Sequence, residues 1–384
     1  MMMTNLQTLM LYLITILSTG ALCAWITKTQ SHIQQKYGLD SLGKTKCWRI
    51  HLNDRIVMAG FLPMIFLAGT RVDTGADYTQ YVWNYAKVMA DNDMFSALLK
   101  SREPLYVFLE YINKFIFGDN VYTWFFIMAA LTLAILAAAL GEIDRKLDYS
   151  LFAVLFGLYI YLHMFNYVRQ LFAAALILLA IAYALDGKII KALIVIAFAT
   201  LMHRSSIVFL PILFVAAHKN IENIAFGRKY HLLVMVSPFF TQGVVYIIKK
   251  IQFLSIYASR YLSGSPRIGL GWLIDVLPVL ALYFMNYQAI TQAGDRKGKI
   301  LAELSWLIIP VRVLSYYSYA AGRHFITFAL LSITAFSLLI NKTGHKRIKS
   351  IFAVTMLLMY FIFYFYLGNN SGVFPYASIL LPGR

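Results

Sequence analysis

Long apolar runs separated by short polar segments make up most of the chain. A run of about 20 apolar residues can cross a lipid bilayer as a helix. The predicted spans cover residues 6–27, 56–70, 121–141, 150–166, 168–186, 189–202, 205–217, 231–248, 272–290, 300–318, 324–340 and 350–367. The pattern therefore predicts an all-α polytopic membrane protein of about twelve transmembrane helices, with residues 1–384 forming a single integral membrane domain.

A further apolar run at 105–117 is too short and too polar for a span, because Glu110, Asn113 and Lys114 interrupt it. If this run does not cross, every loop on one side of the membrane carries Lys or Arg. The positive-inside rule assigns that side to the cytoplasm. We therefore predict a re-entrant or interfacial segment at 105–117, with both chain termini outside.

Two long segments, 71–120 and 249–271, are predicted as outer loops. In the first, apolar or aromatic groups at 78, 81, 82, 85, 88 and 89 follow the helical period, which predicts an amphipathic helix within 78–100. Asp77 stands where the N-cap of this helix would lie. Arg102-Glu103-Pro104 precedes the 105–117 run, and proline is favoured at the first helical position.

The composition excludes soluble classes of protein. Hydrophobic residues make up 60% of the chain and charged residues 13%, against about 45–50% and about 25% in soluble domains. The net charge of +17 is explained by basic cytoplasmic loops and contacts with anionic lipid headgroups, so no nucleic-acid partner is predicted. The two cysteines have no disulfide or metal-site spacing.

Several arginines lie outside the cytoplasmic loops, where the positive-inside rule does not explain them. Arginine near or inside a membrane is costly and usually functional. Arg169 lies at the start of a predicted helix, whose free N–H groups suit phosphate. Arg312 falls inside a predicted span, where the alternative is a structural pairing with Asp275 or Glu303. The other candidates of this kind are Arg102, Arg204 and Arg260.

Other candidates also have structural alternatives. Asp77 could be a helix cap alone, Arg102 to Pro104 a simple helix start, and His203 a polar turn residue, although a histidine can accept a proton at neutral pH. The sequence contains no Walker loop, dinucleotide fingerprint, nucleophile elbow or H-E-x-x-H motif. We therefore predict no cofactor and no metal site; Asp73 and Asp77, four residues apart, are the nearest to a metal-binding pair.

The order of several short motifs resembles that of the EpsG family, which is similar to the Wzy polymerases of O-antigen, capsule and exopolysaccharide assembly. These motifs are Gly75-x-Asp77-Tyr78-x-x-Tyr81, Glu103-Pro104, Asn166-Tyr-Val-Arg169-Gln170, His203-x-Ser205, Arg260-Tyr261 and Arg312 followed by tyrosines. The resemblance extends over about 55–380. It implies a GT-C-like membrane glycosyltransferase whose active site opens on the outer, periplasmic face of the bacterial inner membrane.

The resemblance implies a reaction in which a growing glycan is transferred from undecaprenyl diphosphate to a hydroxyl of an incoming lipid-linked repeat unit. No metal is expected. Membrane lipids, a flippase and a chain-length regulator are the other candidate partners. Arginine forks match diphosphate oxygens. We expect the diphosphate to be bound by Arg169, Arg260 and Arg312, with Arg204 and Arg102 as further candidates. The first candidate for the general base is Asp77, followed by Glu103 or His203. The residues expected to contact the sugars are Tyr78, Tyr81, Gln170 and Tyr261.

Two other classes of protein remain open. A flippase for lipid-linked oligosaccharide would also meet a diphosphate, but its cations should extend through the midplane, often with repeat symmetry. Neither feature is apparent, because the arginines away from the cytoplasmic loops cluster outside. Another membrane transferase, such as an O-antigen ligase or an acyltransferase, differs in its substrates rather than in its composition.

Overall fold

The computed structural model is built almost wholly from helices. It describes residues 2–37, 59–91, 93–144, 147–219, 221, 226–250, 270–292, 295–318 and 322–380. The helices α1 to α17 are Asn5–Tyr37, Leu62–Gly69, Tyr78–Ala90, Met94–Lys100, Pro104–Phe117, Val121–Ile143, Tyr149–Tyr159, Val168–Leu185, Ile189–Met202, Leu210–Ala217, Arg228–Lys250, Leu273–Met285, Tyr287–Gln292, Arg296–Ser305, Ile308–Leu314, Phe325–Leu339 and Lys346–Phe361. Within these ranges the only β pairing is an isolated bridge between Arg71 and Ser378. The all-α class is confirmed.

The helices coincide with the predicted apolar runs, but several runs are divided. Helices α6, α8 and α9 lie close to their predicted bounds. The run 150–166 instead forms the short α7 followed by a 3₁₀ turn, Tyr161–Phe165, and the run 300–318 divides into α14 and α15. Apolar composition identifies these segments as buried but does not reveal where a helix breaks within them.

Five helical segments of the described chain are long and apolar enough to cross a membrane. They are Asn5–Thr29, Val121–Ile143, Val168–Leu185, Phe325–Lys342 and Lys346–Leu367. Shorter apolar helices occupy Tyr149–Tyr159, Ile189–Met202, Arg204–Ala217 and Leu270–Met285. The count of twelve spans therefore stays a prediction.

The stretch 78–100 forms two helices, α3 and α4. Helix α3 buries Tyr78, Tyr81, Tyr85 and Met89, four of the six positions in the predicted apolar stripe, while Val82 and Val88 are half-buried. The chain turns after α3, and Asp93 caps α4 by accepting a hydrogen bond from the Ser96 N–H at 3.0 Å. A new cap starts a new helix, which is why the amphipathic pattern does not continue as one helix.

The chain divides into two compact units, each described by itself. The first contains residues 1–214 and 357–384, and the second 215–356. In the first unit α8 packs between α6 and α9, and α5 contacts α3, α4, α6 and α9. The small residues Ala173 to Ala175 of α8 are buried, and small residues allow helices in membranes to approach closely. Helix α8 is thus the central helix of the unit that carries most of the predicted site.

The second unit packs α16 against α12 and α14, and α11 against α15. Its interior holds a hydrogen-bonded carboxylate, Glu303, which is 3% exposed. One Glu303 oxygen lies 2.7 Å from His231 Nε2, and the other accepts a hydrogen bond from the Tyr283 hydroxyl at 2.9 Å. Both carboxylate oxygens therefore have a partner, as buried ionisable groups require.

The loop before α3 is held against the C-terminal segment and the turn before α8. The Gly75 N–H donates to the Gly372 carbonyl at 2.8 Å. The Asn166 amide donates to the Ser371 carbonyl at 2.6 Å and accepts from the Asp77 N–H at 3.1 Å. Asp77 occupies the predicted N-cap position, although its carboxylate makes no capping hydrogen bond to α3. These bonds hold the start of α3 next to the start of α8.

We expect Gly75→Ala to destabilise the first unit more than Gly187→Ala. Both glycines have positive φ, +109° and +71° respectively, which disfavours alanine. A Cβ at Gly75 would also lie 2.8 Å from Asn166 Oδ1, whereas one at Gly187 would meet nothing within 4 Å. The added cost at Gly75 should be about 1–3 kcal/mol. Apparent melting temperatures of the two purified variants measure this difference, and equal melting temperatures would contradict it.

Candidate functional site

A carboxylate that binds two cationic or hydrogen-bonding groups marks the candidate site. Glu103 precedes α5, and its side chain makes no capping bond to that helix. Its Oε2 accepts a hydrogen bond from Arg169 Nη1. Its Oε1 lies 2.7 Å from His203 Nδ1. Three predicted site residues that are far apart in the chain therefore form one cluster.

The position of Arg169 follows from the turn that starts α8. Arg169 is the second residue of this helix, directly after the turn containing Asn166. Its guanidinium carbon lies 5.8 Å from the Tyr81 ring and 5.1 Å from the Tyr106 ring, distances at which a cation is attracted to an aromatic face. The Tyr81 hydroxyl in turn donates to the Asn166 carbonyl at 2.9 Å. The two rings and Glu103 thus fix a partly exposed arginine in place.

His203 is the C-cap residue of α9, and hydrogen bonds at both of its ring nitrogens fix its orientation. Its Nε2 lies 3.1 Å from Gln170 Nε2 on α8. Because an amide NH₂ group can only donate, His203 Nε2 accepts this bond, and Nδ1 carries the proton that it shares with Glu103. Gln170 and Glu103 therefore select one neutral tautomer of His203.

The environment of Glu103 favours its ionised form. Burial raises the pKa of Glu103, but the His203 hydrogen bond and the Arg169 charge outweigh burial, so the pKa lies below its ordinary value. An ionised carboxylate with both oxygens engaged is a poor proton acceptor. It is well suited to hold an arginine and a histidine in fixed orientations.

A cavity of about 840 Å³ opens beside this cluster. Its wall includes five cationic side chains and two carboxylates. The twelve lining residues are Asn84, Lys87, Val88, Lys100, Ser101, Arg102, Glu103, Tyr106, Val107, Glu110, Arg169 and Arg204. All of them belong to the first unit. The excess of positive charge suits an anionic ligand, and the guanidinium groups suit phosphate in particular.

The structure brings some of the predicted residues together and separates others. Glu103, Arg102, Arg169 and Arg204 line the cavity, and Gln170 and His203 contact each other beside it. Asp77, Tyr78 and Tyr81 are not among the lining residues; Tyr78 is buried, with its ring stacked 5.2 Å from that of Phe125. Arg260 and Tyr261 lie outside the described residues.

Arg312 belongs to the second unit and is paired with Asp275, one of the two structural partners considered as an alternative to diphosphate binding. Its Nη2 lies 2.5 Å from Asp275 Oδ2, and Asp275 is 1% exposed. Its guanidinium carbon also lies 4.8 Å from the Phe325 ring. Glu303, the other suggested partner, instead contacts His231 and Tyr283.

Eight of the twelve lining residues were not among the predicted site residues, and four of these eight have ionisable side chains: Lys87, Lys100, Tyr106 and Glu110. The prediction treated Glu110 only as an interruption of an apolar run. Its signal was present in the sequence, because a carboxylate in an otherwise apolar membrane segment is usually functional. Lys87 and Lys100 carried no comparable signal, since lysines on surface helices are common.

Metal-ligand geometry is absent from the part of the chain that the structure describes. There, no three His, Cys, Asp or Glu side chains lie together as the ligands of one ion would. Asp73 and Asp77 therefore have no third ligand of these types among the described residues.

The EpsG family model matches residues 55–378, which is most of the chain. No curated protein matches the chain, and no solved structure does.

Proposed function

The chain belongs to the EpsG family of Wzy-like polysaccharide polymerases, and on this premise we propose that its cavity transfers a glycan from a polyprenyl diphosphate to a lipid-linked acceptor. The family and the apolar helices identify a multi-pass membrane protein with a general role in polysaccharide synthesis. The proposal adds the reaction. The growing glycan leaves undecaprenyl diphosphate and joins a hydroxyl of the incoming repeat unit, on the outer face of the inner membrane.

The observation that carries this proposal is the cationic cavity wall around Arg169. When the glycosidic bond to the donor breaks, negative charge develops on the leaving diphosphate. Positive groups already in position stabilise such charge strongly in a site that excludes water. Arg169 is held by Glu103 and by two aromatic rings, so little reorganisation is needed to bind the leaving group. Arg102, Arg204, Lys87 and Lys100 supply further positive charge around it.

Glu103 and His203 serve as a positioning pair in this proposal. Glu103 holds Arg169 through one oxygen and His203 through the other. Gln170 completes the arrangement from α8. Tyr81 supports Arg169 through its ring and ties α3 to the turn before α8 through its hydroxyl. Sugar contacts are assigned to the polar lining residues Asn84 and Ser101, because Tyr78 and Tyr81 are buried.

The prenyl tail requires an apolar surface next to the cavity. Helix α5, which contributes Glu110 and Tyr106 to the cavity wall, exposes large apolar side chains on its outer face. These are Phe108, Ile112, Phe115, Ile116 and Phe117, with Phe115 89% exposed. An exposed apolar surface of this kind suits contact with lipid. We assign the tail to this face, which is consistent with an interfacial position for the 104–117 helix.

The test is chain growth by the purified full-length protein in detergent. The substrate is the lipid-linked repeat unit extracted from cells in which the gene for this chain is deleted. We expect oligomers of two or more units together with released undecaprenyl diphosphate, with and without EDTA. Unchanged repeat units would reject the polymerase proposal, and flipping of the same lipid in vesicles without oligomers would identify a flippase. Loss of growth in EDTA would reject the expectation that no metal is needed.

A further inference from the structure

Glu110 is a buried carboxylate whose oxygens make no hydrogen bond to any of the described residues. It lies in α5, seven residues after Glu103, which directly precedes this helix. Its exposed fraction is 0%, and within the described part of the chain neither Oε1 nor Oε2 has a hydrogen-bond partner. Yet it contributes to the wall of the cationic cavity. A buried carboxylate left unsatisfied is costly, so a native protein that keeps one usually uses it.

Asn113, one turn further along α5, is a buried polar residue whose hydrogen bonds give it a structural role. Asn113 is also 0% exposed. Its amide donates to the Tyr85 hydroxyl at 2.8 Å and to the Asn120 carbonyl at 3.0 Å, and its oxygen accepts from the Thr123 hydroxyl at 2.9 Å. The helix therefore has partners for a buried polar side chain at this depth, whereas Glu110 has no hydrogen-bond partner in the described part of the chain.

The surroundings of Glu110 keep a proton on it at neutral pH. Burial raises the pKa of Glu110 to about 8, although the nearby Tyr106 hydroxyl and the Arg169 charge act in the opposite direction. The ionised fraction therefore grows as the pH rises towards 8. A general base works best when its pKa lies near the working pH, because it is then both partly ionised and a strong enough proton acceptor.

We infer that Glu110 is the general base of the glycan transfer, the group that takes the proton from the acceptor hydroxyl. The inference rests on the proposed function. The acceptor oxygen forms a bond to the anomeric carbon of the donor glycan while its proton moves to a Glu110 oxygen. The bond from that carbon to the diphosphate oxygen breaks, and its electron pair leaves with undecaprenyl diphosphate. Arg169 then faces the added negative charge.

The predicted bases are less suited to this step. Glu103 lines the cavity, but Arg169 and His203 occupy both of its oxygens. His203 has its Nε2 engaged by Gln170 and is not a lining residue. Asp77 is not a lining residue either. Glu110 combines a place in the cavity wall with unengaged oxygens.

The first test compares Glu110→Gln and Glu110→Asp with Glu142→Gln. Glu142 pairs with Lys188 at 3.2 Å and is not a lining residue, so it controls for the chemical change itself. Chain growth is measured on the extracted lipid-linked repeat unit, and binding is measured with undecaprenyl diphosphate alone. Glu110→Gln should lower the rate about 10²–10⁴-fold while the affinity for undecaprenyl diphosphate stays within about threefold. Glu110→Asp should retain part of the rate, and Glu142→Gln should match the wild type.

The pH dependence of the rate gives a readout that a merely structural role would not change. The wild-type rate should rise up to about pH 8, and the residual rate of Glu110→Gln should lack this rise. The titratable and charged groups that interact with Glu110 are Tyr106 and Tyr111 on its own helix, Tyr85 from α3 and Arg169 from α8. The cavity wall that Glu110 shares adds Glu103, Arg102, Arg204, Lys87 and Lys100.

Stability provides a second measurement that does not depend on activity. A carboxyl group whose pKa is higher in the folded than in the unfolded state stabilises the fold most at pH values below its unfolded-state pKa. For Glu110 this contribution is lost as the pH rises to about 8, the pKa in the folded state. The apparent melting temperature of the wild type should therefore fall relative to that of Glu110→Gln between pH 5 and pH 8. A parallel course for the two proteins would contradict the buried, proton-binding state of Glu110.

The outcomes separate this inference from the proposed function. A wild type that neither extends the repeat unit nor binds undecaprenyl diphosphate rejects both. An active wild type with an equally active Glu110→Gln rejects the role of Glu110 alone. If the rise with pH persists in Glu110→Gln, the proton goes to another group, and Glu103 and His203 are then the remaining candidates. Only a slow Glu110→Gln with normal binding and a flat pH profile supports the inference.

Discussion

Replacing Arg169 by alanine is expected to stop chain growth, so that the surface glycan consists of single repeat units while the protein reaches its normal level. Arg169 is the cavity cation that is fixed by contacts on several sides, from Glu103, Tyr81 and Tyr106. Removing one preorganised group that stabilises developing charge typically slows a reaction about 10²–10³-fold. Gel analysis of the glycan and the rate on extracted repeat units both measure this loss. Arg169→Lys should recover only part of the rate, because an ammonium group lacks the guanidinium fork.

The double variant Arg169→Ala with Glu103→Gln tests why Arg169 matters. If Arg169 only neutralised Glu103, removing both charges would restore activity. If it binds the diphosphate, the double variant stays inactive and loses affinity for undecaprenyl diphosphate. We expect the second result. Arg347→Ala, which removes an exposed arginine outside the cavity, is the matched control and should make full-length chains. Long chains in Arg169→Ala would remove this residue from the mechanism.

The sequence was sufficient to predict the helical class and most helix positions, because apolar periodicity and capping are local signals. Pro104 begins α5 as predicted, and α9 occupies the predicted range 189–202. The divisions within apolar runs were not predictable. Helix α7 ends at Tyr159 although the sequence continues as apolar residues, Ile160 to Leu162, and the packing around those residues determines where the helix stops.

The sequence allowed several residues of the site to be predicted, but not which of them contact one another. Glu103, Arg169 and His203 were each singled out from their positions at helix ends. Their mutual contacts join residues 66 and 100 positions apart in the chain, and nothing local specifies such a contact. The same limit applies to Glu110. Its position within an apolar helix was visible in the sequence. That its oxygens make no hydrogen bond to the described residues depends on what α3, α6 and α8 place around it.

The electrostatic difference between Glu103 and Glu110 also depends on the fold. Two glutamates that line the same cavity have opposite pKa shifts. The pKa of Glu110 is raised by burial, while that of Glu103 is lowered because the His203 hydrogen bond and the Arg169 charge outweigh its own burial. Pairs of carboxyl groups whose pKa values are driven apart commonly take different roles in one site. Here the ionised member holds Arg169 and His203 in place, and the proton-binding member is the one suited to act on the acceptor.

Replacing Arg312 by alanine is expected to reduce folded protein rather than to block chain growth selectively. The substitution leaves Asp275 buried and without its guanidinium partner. Removing one member of a buried ion pair typically costs about 3–5 kcal/mol, a large share of the stability of a domain. The yield of monodisperse protein and its apparent melting temperature measure this effect.

The double variant Arg312→Met with Asp275→Asn distinguishes a structural role for Arg312 from diphosphate binding. It removes both charges and keeps similar volumes, a change that buried ion pairs often tolerate. If the Asp275 contact is the role of Arg312, the double variant regains folded yield and makes long chains. A stable double variant that makes only single repeat units would instead return Arg312 to the diphosphate site. We expect recovery of both properties, because the Arg312 Nη2 atom already lies 2.5 Å from the buried Asp275 carboxylate.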